Sequence, residues 1–165
     1  MTQLSLHFSL KEFTDSDIAA RNGIDNTAPP ELMANLRRTA GGMERVRSLL
    51  GDLPIRVNSG YRCENLERVL CAEAFVVWCK RQLMICNNRA WQRYFLTKQH
   101  PSGNAVDFTC EDYGLPYQIM QAVANSAIDY DQLILEYNSW VHISFASLPR
   151  HQALVIDKTG TRKFE

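Results

Sequence analysis

Two histidines and one aspartate near predicted strand edges constrain the fold of this chain more than any other feature. His100 opens the run His-Pro-Ser-Gly-Asn-Ala-Val-Asp, which closes at Asp107, and His142 lies in the later run Trp-Val-His-Ile-Ser. Gly103 gives the backbone the freedom to fold back between the first two residues. A loop and two strands of one sheet can then bring the three side chains together.

Imidazole and carboxylate are both ordinary zinc ligands, and three protein ligands leave one position open for water, as in catalytic zinc sites. We therefore predict a zinc ion bound by His100, Asp107 and His142. The residues alone leave an alternative open. A histidine in a strand is more often a hydrogen-bonded core residue than a ligand, and a histidine and an aspartate arise at this spacing by chance in many proteins.

The remaining segments predict one α+β domain over residues 1–165, with an antiparallel sheet that carries the zinc site and helices that flank it. A helix opens at Pro29-Pro30-Glu31, and another is predicted from Tyr117 to Ala127. Tyr61 to His100 has neither glycine nor proline and predicts helix, interrupted at Asn87-Asn88. Strands are predicted at 55–59, 105–109, 132–137, 140–145 and, as a last edge strand, 153–157.

Composition narrows the function classes. The 18 basic and 18 acidic residues cancel to a net charge of +0, and the sequence has no basic run, so nucleic-acid binding is not favoured. No apolar run approaches the ~20 residues of a membrane span. The first residues lack the basic and apolar regions of a signal peptide. We therefore expect synthesis in a cytoplasm.

The five cysteines are an odd number without a Cys-x-x-Cys pair, which disfavours a structural zinc site or a thioredoxin-like site. We expect them to remain thiols in a reducing compartment. Cys71, Cys79 and Cys86 would share one face of a helix, where they would be small buried hydrophobic residues.

Glu136 is the candidate general base, because it is the only acid in the apolar run that begins at Leu133. A hairpin loop with an odd number of residues, centred on Ser139, would pair Glu136 with His142. A two-residue turn at Asn138-Ser139 would instead pair Leu135 with His142 and point Glu136 away. A solvent-facing Glu136 is the open alternative.

The motifs together resemble the M15 peptidases, D-Ala-D-Ala carboxypeptidase-like zinc enzymes that cut peptidoglycan stem peptides. The metal-site part of the resemblance is Lys98-Gln99-His100, Gly103-Asn-Ala-Val-Asp107 and Trp140-Val-His142. The opening is similar to the phage-type branch of that family, and the resemblance covers most of residues 6 to 147. Its further pieces are Phe8-Ser-Leu-Lys-Glu-Phe, Gly23-Ile-Asp-Asn, Pro30-Glu-Leu-Met-Ala-Asn-Leu-Arg, Asn58-Ser-Gly-Tyr-Arg-Cys63 and Gln132-Leu-Ile.

The resemblance implies a hedgehog/D-Ala-D-Ala peptidase-like fold, zinc at the three predicted ligands and Glu136 as the catalytic base. Many relatives carry the acid three residues before the last histidine, where this chain has Ser139. Arg62 matches an arginine that faces the active site, and its planar fork suits a substrate carboxylate or a developing oxyanion. The alternative for Arg62 is a structural ion pair.

Two departures from the family pattern stand out. Lys98 replaces a serine, which exchanges a hydroxyl for a long cation near the metal. An apolar, aromatic-rich insertion at about 70–97 replaces a short Gly-Gly-containing loop. It is either extra helical core or a functional surface: a lid, a groove wall, or a docking surface for a phage protein.

The function expected from the sequence is a zinc-dependent peptidase that hydrolyses peptidoglycan stem peptides or cross-links. It would be a phage or prophage endolysin, or a virion-associated lysin, that reaches the cell wall after lysis or within a virion. Two alternatives stay open. One is a catalytically inert phage structural or assembly protein on the same fold, and the other is a cytoplasmic D-Ala-D-Ala dipeptidase.

Overall fold

The computed structural model describes residues 2–165 and forms one α+β domain, as the sequence predicts. The helices are α1 (Leu10–Thr14), α2 (Asp17–Arg21), α3 (Met33–Leu49), α4 (Glu64–Leu70), α5 (Ala72–Arg81), α6 (Asn88–Phe95) and α7 (Pro116–Ala124). The strands are β1 (Arg56–Ser59), β2 (Ala105–Thr109), β3 (Gln132–Glu136), β4 (Trp140–Ser144), β5 (Gln152–Asp157) and β6 (Gly160–Lys163). Short 3-10 turns cover Pro30–Leu32 and His100–Ser102.

One six-stranded sheet has the order β1-β2-β4-β3-β5-β6. Neighbouring strands are antiparallel, except that β3 and β5 run parallel. The strands that carry Asp107 and His142, β2 and β4, are antiparallel as predicted. The prediction that 153–157 is an edge strand is wrong, because β5 pairs with β3 on one side and with β6 on the other. β5 and β6 form a hairpin, so β6 is the edge strand at this side of the sheet. The sequence pattern did not indicate β6.

Alternate side chains of the central strands pack into the hydrophobic core, and the side chains between them face the other side of the sheet. Side chains two residues apart in a strand point to the same face. Those that pack into the main core against α3 and α7 are Val106, Phe108, Leu133, Leu135, Val141 and Ile143. The residues between them, including Asp107, Ile134 and His142, lie outside that core cluster and face the other way. The hydrophobic core therefore fixes which side of the sheet carries the predicted ligands.

The stretch from Tyr61 to His100 forms three short helices, with breaks at Cys71 and over residues 82–87. Phe75 of α5 lies 5.2 Å, centroid to centroid, from Trp91 of α6 and 5.5 Å from Tyr94. Trp91 and Tyr94 are almost fully buried. Residues 72–95 thus form a helical hairpin with its own small aromatic core.

The cysteines do not share one buried helix face. Cys71 follows α4, Cys79 is buried in α5, and Cys86 is exposed in the loop before α6. The expectation of three buried helix-face thiols is wrong because the helix breaks before Cys86. Within residues 2–165, no helix is long and apolar enough to cross a membrane.

Candidate metal centre

Three buried side chains bring one donor atom each to a common point. Nε2 of His100 lies 3.2 Å from Oδ1 of Asp107 and 3.2 Å from Nδ1 of His142. Nδ1 of His142 lies 2.9 Å from the same Asp107 oxygen. This cluster could hold a metal ion.

Local structure explains how these residues meet. Asp107 on β2 and His142 on β4 are directly paired in the antiparallel register, so both side chains rise from the same face. His100 opens the 3-10 turn that precedes β2. That turn ends at Gly103, whose φ of 70° is a left-handed conformation that glycine adopts readily.

Each of the three side chains also has a hydrogen-bond partner outside the cluster. His100 Nδ1 donates to the Gly60 carbonyl oxygen at 2.6 Å, and His142 Nε2 donates to Gln99 Oε1 at 3.2 Å. Arg62 Nη2 donates to Oδ2 of Asp107. These partners assign the outer protons of the two imidazoles, so each inner nitrogen presents a lone pair. Three acceptors therefore face one another, an arrangement that a cation stabilises.

The donor set and its dimensions suit zinc. Zinc in a tetrahedral site lies about 2.0–2.1 Å from nitrogen and oxygen donors, which sets those donors roughly 3.3 Å apart. The three inner atoms are separated by 2.9–3.2 Å. A small expansion of the cluster is therefore enough to accommodate the ion.

The protonation states of the ligands also suit a cation. Burial and the nearby Arg62 cation lower the pKa of His100, against the opposing effect of Asp107. Burial alone would raise the pKa of Asp107. The neighbouring side chains His100, His142 and Arg62 hold the pKa of Asp107 well below its usual range instead. A neutral imidazole and an ionised carboxylate are the forms that bind metal.

Glu136 lies on the same sheet face as His142, although its predicted partner is wrong. Glu136 pairs with Trp140, and His142 pairs with Ile134. The loop has an odd number of residues, as one of the two predicted registers requires, but it is centred on Asn138 rather than Ser139. Glu136 is thus a diagonal neighbour of His142, and the register that would turn it away is excluded.

Burial and the Asp107 charge raise the pKa of Glu136, while His142, Arg62 and Lys98 act in the opposite direction. The strand register, which places Glu136 diagonally from His142 on one sheet face, agrees with this influence. A raised pKa is typical of a carboxylate that exchanges protons near neutral pH.

Comparison with known families adds an independent observation. Residues 6–72 match a family model described as Peptidase M15. The match supports membership of the M15 peptidase family. M15 peptidases are zinc-dependent. The matched residues end before His100, so the cluster and the match are separate lines of support. No curated protein matches the chain.

The Arg62 guanidinium bonds to protein acceptors. Besides Asp107, it donates from Nε to Ser59 Oγ at 2.8 Å, and its Nη1 lies 3.7 Å from Glu67 Oε2. These contacts agree with the structural ion-pair alternative. Arg62 orients Asp107 so that Oδ1 points at the two histidines.

Sequence reasoning missed the residues that hydrogen-bond to the predicted ligands and hold them in place. Gln99 accepts from His142 and donates to Oδ2 of Asp131, which is 2% exposed. Arg150 donates to the two Asp131 oxygens at 2.7 and 2.6 Å. The adjacency of Gln99 to His100 was the only available signal, because the other partners are distant in sequence.

A groove of about 390 Å³ runs beside the cluster. Its lining includes Asp107, Arg62 and Trp140, together with Asp17 and Arg21 of α2. Charges of both signs therefore border the approach to the metal centre.

Lys98 links the helical hairpin to this region. Its Nζ lies 4.1 Å from the centroid of the Tyr94 ring, a cation–π contact. Lys98, which stands where the family has a serine, thus connects the segment before His100 to the aromatic core of the hairpin.

Proposed function

We propose that this M15 chain is a zinc peptidase that hydrolyses peptide bonds in bacterial peptidoglycan, with His100, Asp107 and His142 as zinc ligands. The observation that carries the proposal is the cluster of three acceptor atoms separated by 2.9–3.2 Å, each oriented by an outer hydrogen bond. The family match supports a metallopeptidase independently.

Zinc, when bound, would lower the pKa of a water toward ~7 and polarise a carbonyl oxygen. The chain's own groups would do the rest. Glu136 would take the proton as the water attacks the scissile carbonyl, and would pass it to the leaving amine. The raised pKa of Glu136 supports this role. Arg62 would hold Asp107 in its ligand orientation.

The groove supports a peptide substrate that carries charges of both signs. Asp17, Arg21 and Arg62 all line it. Peptidoglycan stem peptides carry free carboxylates and, in many bacteria, a free amine. The proposed substrate is such a stem peptide or its cross-link.

We extend the proposal to a phage or prophage endolysin, or a virion-associated lysin, on the resemblance of residues 8–63 to the phage-type branch. Two rivals remain. Lys98 and the helical hairpin motivate an inert phage structural or assembly protein on the same fold. A D-Ala-D-Ala dipeptidase would use the same metal centre on a smaller substrate.

Purified sacculi provide the test. The zinc-loaded protein is expected to release peptide fragments, whose masses identify the bond that is cut. A chelator should stop the release and added zinc should restore it. Zinc-loaded protein that releases nothing from sacculi but cleaves free D-Ala-D-Ala would support the dipeptidase. A protein that binds no zinc, cleaves neither substrate and co-purifies with phage tail components would support the structural rival.

A further inference from the structure

The loop between α5 and α6 exposes large apolar side chains. Leu83 is 96% exposed and Ile85 is 82% exposed, on either side of the half-buried Met84. Leu83 also has a φ of 53°, a left-handed conformation that is unusual for a bulky residue. Two apolar residues are therefore presented to solvent at a place where a polar turn residue would be less strained.

Cations surround these apolar side chains. Lys80 and Arg81 end α5, Arg89 is the second residue of α6, and all three are exposed. Arg93 Nη1 lies 3.9 Å from Met84 Sδ, which brings a fourth cation against the loop. The sequence has no acid between Glu73 and Asp107. This tip, residues 80–89 with Arg93, is thus strongly basic in a chain of net charge +0.

The hairpin behind the tip is well packed, so the exposure of the tip is not a sign of a loose segment. Cys79, which directly precedes the tip, is fully buried. Asn87 accepts from the Ala90 backbone N–H at 2.9 Å and caps α6. The acid of the hairpin, Glu73, lies in the first turn of α5, away from the tip. The hairpin therefore holds its apolar residues and its cations at one end.

We propose that this tip docks on the surface of an anionic phospholipid bilayer. Exposed leucine and isoleucine would enter the boundary between headgroups and acyl chains, and the cations around them would meet the lipid phosphates. Charge complementarity favours this partner over a second copy of the chain, which would place like charges together at the tip. The apolar pair favours it over a wall polymer, which offers no hydrocarbon. Helices of ten and eight residues cannot span a bilayer, so the contact lies at its surface.

Vesicle sedimentation tests the proposal without reference to peptidase activity. The full chain is mixed with vesicles of phosphatidylglycerol and phosphatidylethanolamine in equal parts, and separately with phosphatidylcholine vesicles. Sedimentation is expected with the anionic vesicles, with a decrease as salt rises. Leu83→Asn with Ile85→Ser should weaken binding at least tenfold, because two apolar side chains no longer enter the membrane. Asparagine tolerates the left-handed conformation at residue 83, so the fold should be retained.

Matched controls separate the tip from general effects. Leu148→Ser alters a leucine that is 86% exposed elsewhere, and should leave sedimentation unchanged. Lys80→Gln with Arg81→Gln should weaken binding, whereas Lys158→Gln with Lys163→Gln should have a much smaller effect. The proposal is overturned if the wild-type chain does not sediment with anionic vesicles, or if the Leu83/Ile85 variant sediments as well as the wild type. It is also overturned if the Leu83/Ile85 substitutions abolish a dimer, or abolish binding to lipid-free sacculi, without changing vesicle binding.

Discussion

Asp107 and His142 are directly paired on neighbouring antiparallel strands, and Oδ1 of Asp107 lies 2.9 Å from Nδ1 of His142. A strand pair places opposed side chains within reach of one ion without help from a loop. Only His100 must be brought in from outside the sheet, and its bond to the Gly60 carbonyl holds it there.

Zinc should stabilise the folded chain, because a bound cation offsets the repulsion between the three inner acceptors. At a free zinc concentration about 100 times the Kd, the gain is about 2.7 kcal/mol, or roughly 5–10 °C in Tm. Thermal unfolding with zinc and with chelator measures it. His142→Ala should abolish the shift, and His151→Ala, which alters an exposed histidine, should preserve it. An equal shift in both variants would contradict the assignment of His142.

Glu136→Gln should reduce kcat by about 10²–10⁴-fold, because the amide cannot accept the proton of the attacking water. Zinc content should stay near that of the wild type, since Glu136 is outside the donor cluster. Hydrolysis of sacculi and metal analysis of the same preparation provide the measurement. Glu111→Gln, an exposed acid after β2, is the control. Near-wild-type turnover in the Glu136 variant would assign the base elsewhere.

Gln99→Ala should weaken zinc binding by about 10–100-fold, because His142 loses the acceptor that fixes its tautomer and ring orientation. Competition with a chromogenic zinc chelator gives the affinity. Gln92→Ala, an exposed glutamine on α6, should bind zinc as the wild type does. If Gln99→Ala keeps full affinity, the bond from His142 to Gln99 does not position the ligand.

Asp131→Asn should lower stability at neutral pH by about 1–3 kcal/mol, because the buried acceptor of Arg150 and Gln99 loses its charge. The Arg150 hydrogen bonds, together with that of Ser144, hold the pKa of Asp131 below its usual value despite burial. The wild-type contribution is therefore complete above the unfolded-state pKa, and is lost as the pH falls through the folded-state pKa.

Urea unfolding at neutral and at strongly acidic pH measures this difference. The gap between wild type and Asp131→Asn should narrow in acid, where the wild-type carboxyl is itself protonated. A gap that is constant across pH would mean that the carboxylate charge contributes nothing at this position. Asp129→Asn, which alters an exposed acid two residues away, serves as the control.

The fold class could be predicted from local patterns. The three clustered side chains were predicted from local patterns together with the resemblance to M15 peptidases. Side chains alternate between the two faces of the sheet along β2, β3 and β4. The spacing from His100 to Asp107 suits a turn followed by a strand. The partner of Glu136 was missed because Tyr137 and Asn138 both adopt left-handed conformations, which gives a loop that propensity does not suggest.

Other features depend on tertiary contacts that no local pattern contains. The links from Gln99 to Asp131 and from Asp131 to Arg150 join three separated segments. The basic tip could not be predicted from the sequence, because it also depends on tertiary structure. Its cations are scattered between apolar residues along the chain, and only the hairpin gathers them.

Because Val141, His142 and Ile143 alternate along β4, a slip of one residue against β2 would have two simultaneous effects. It would turn the imidazole into the hydrophobic core and turn two aliphatic side chains toward the polar ligand cluster. A misregistered molecule would thus be poorly folded as well as unable to assemble its ligands. Cellular proteases would remove it, and the molecules that persist would be those with the correct alignment.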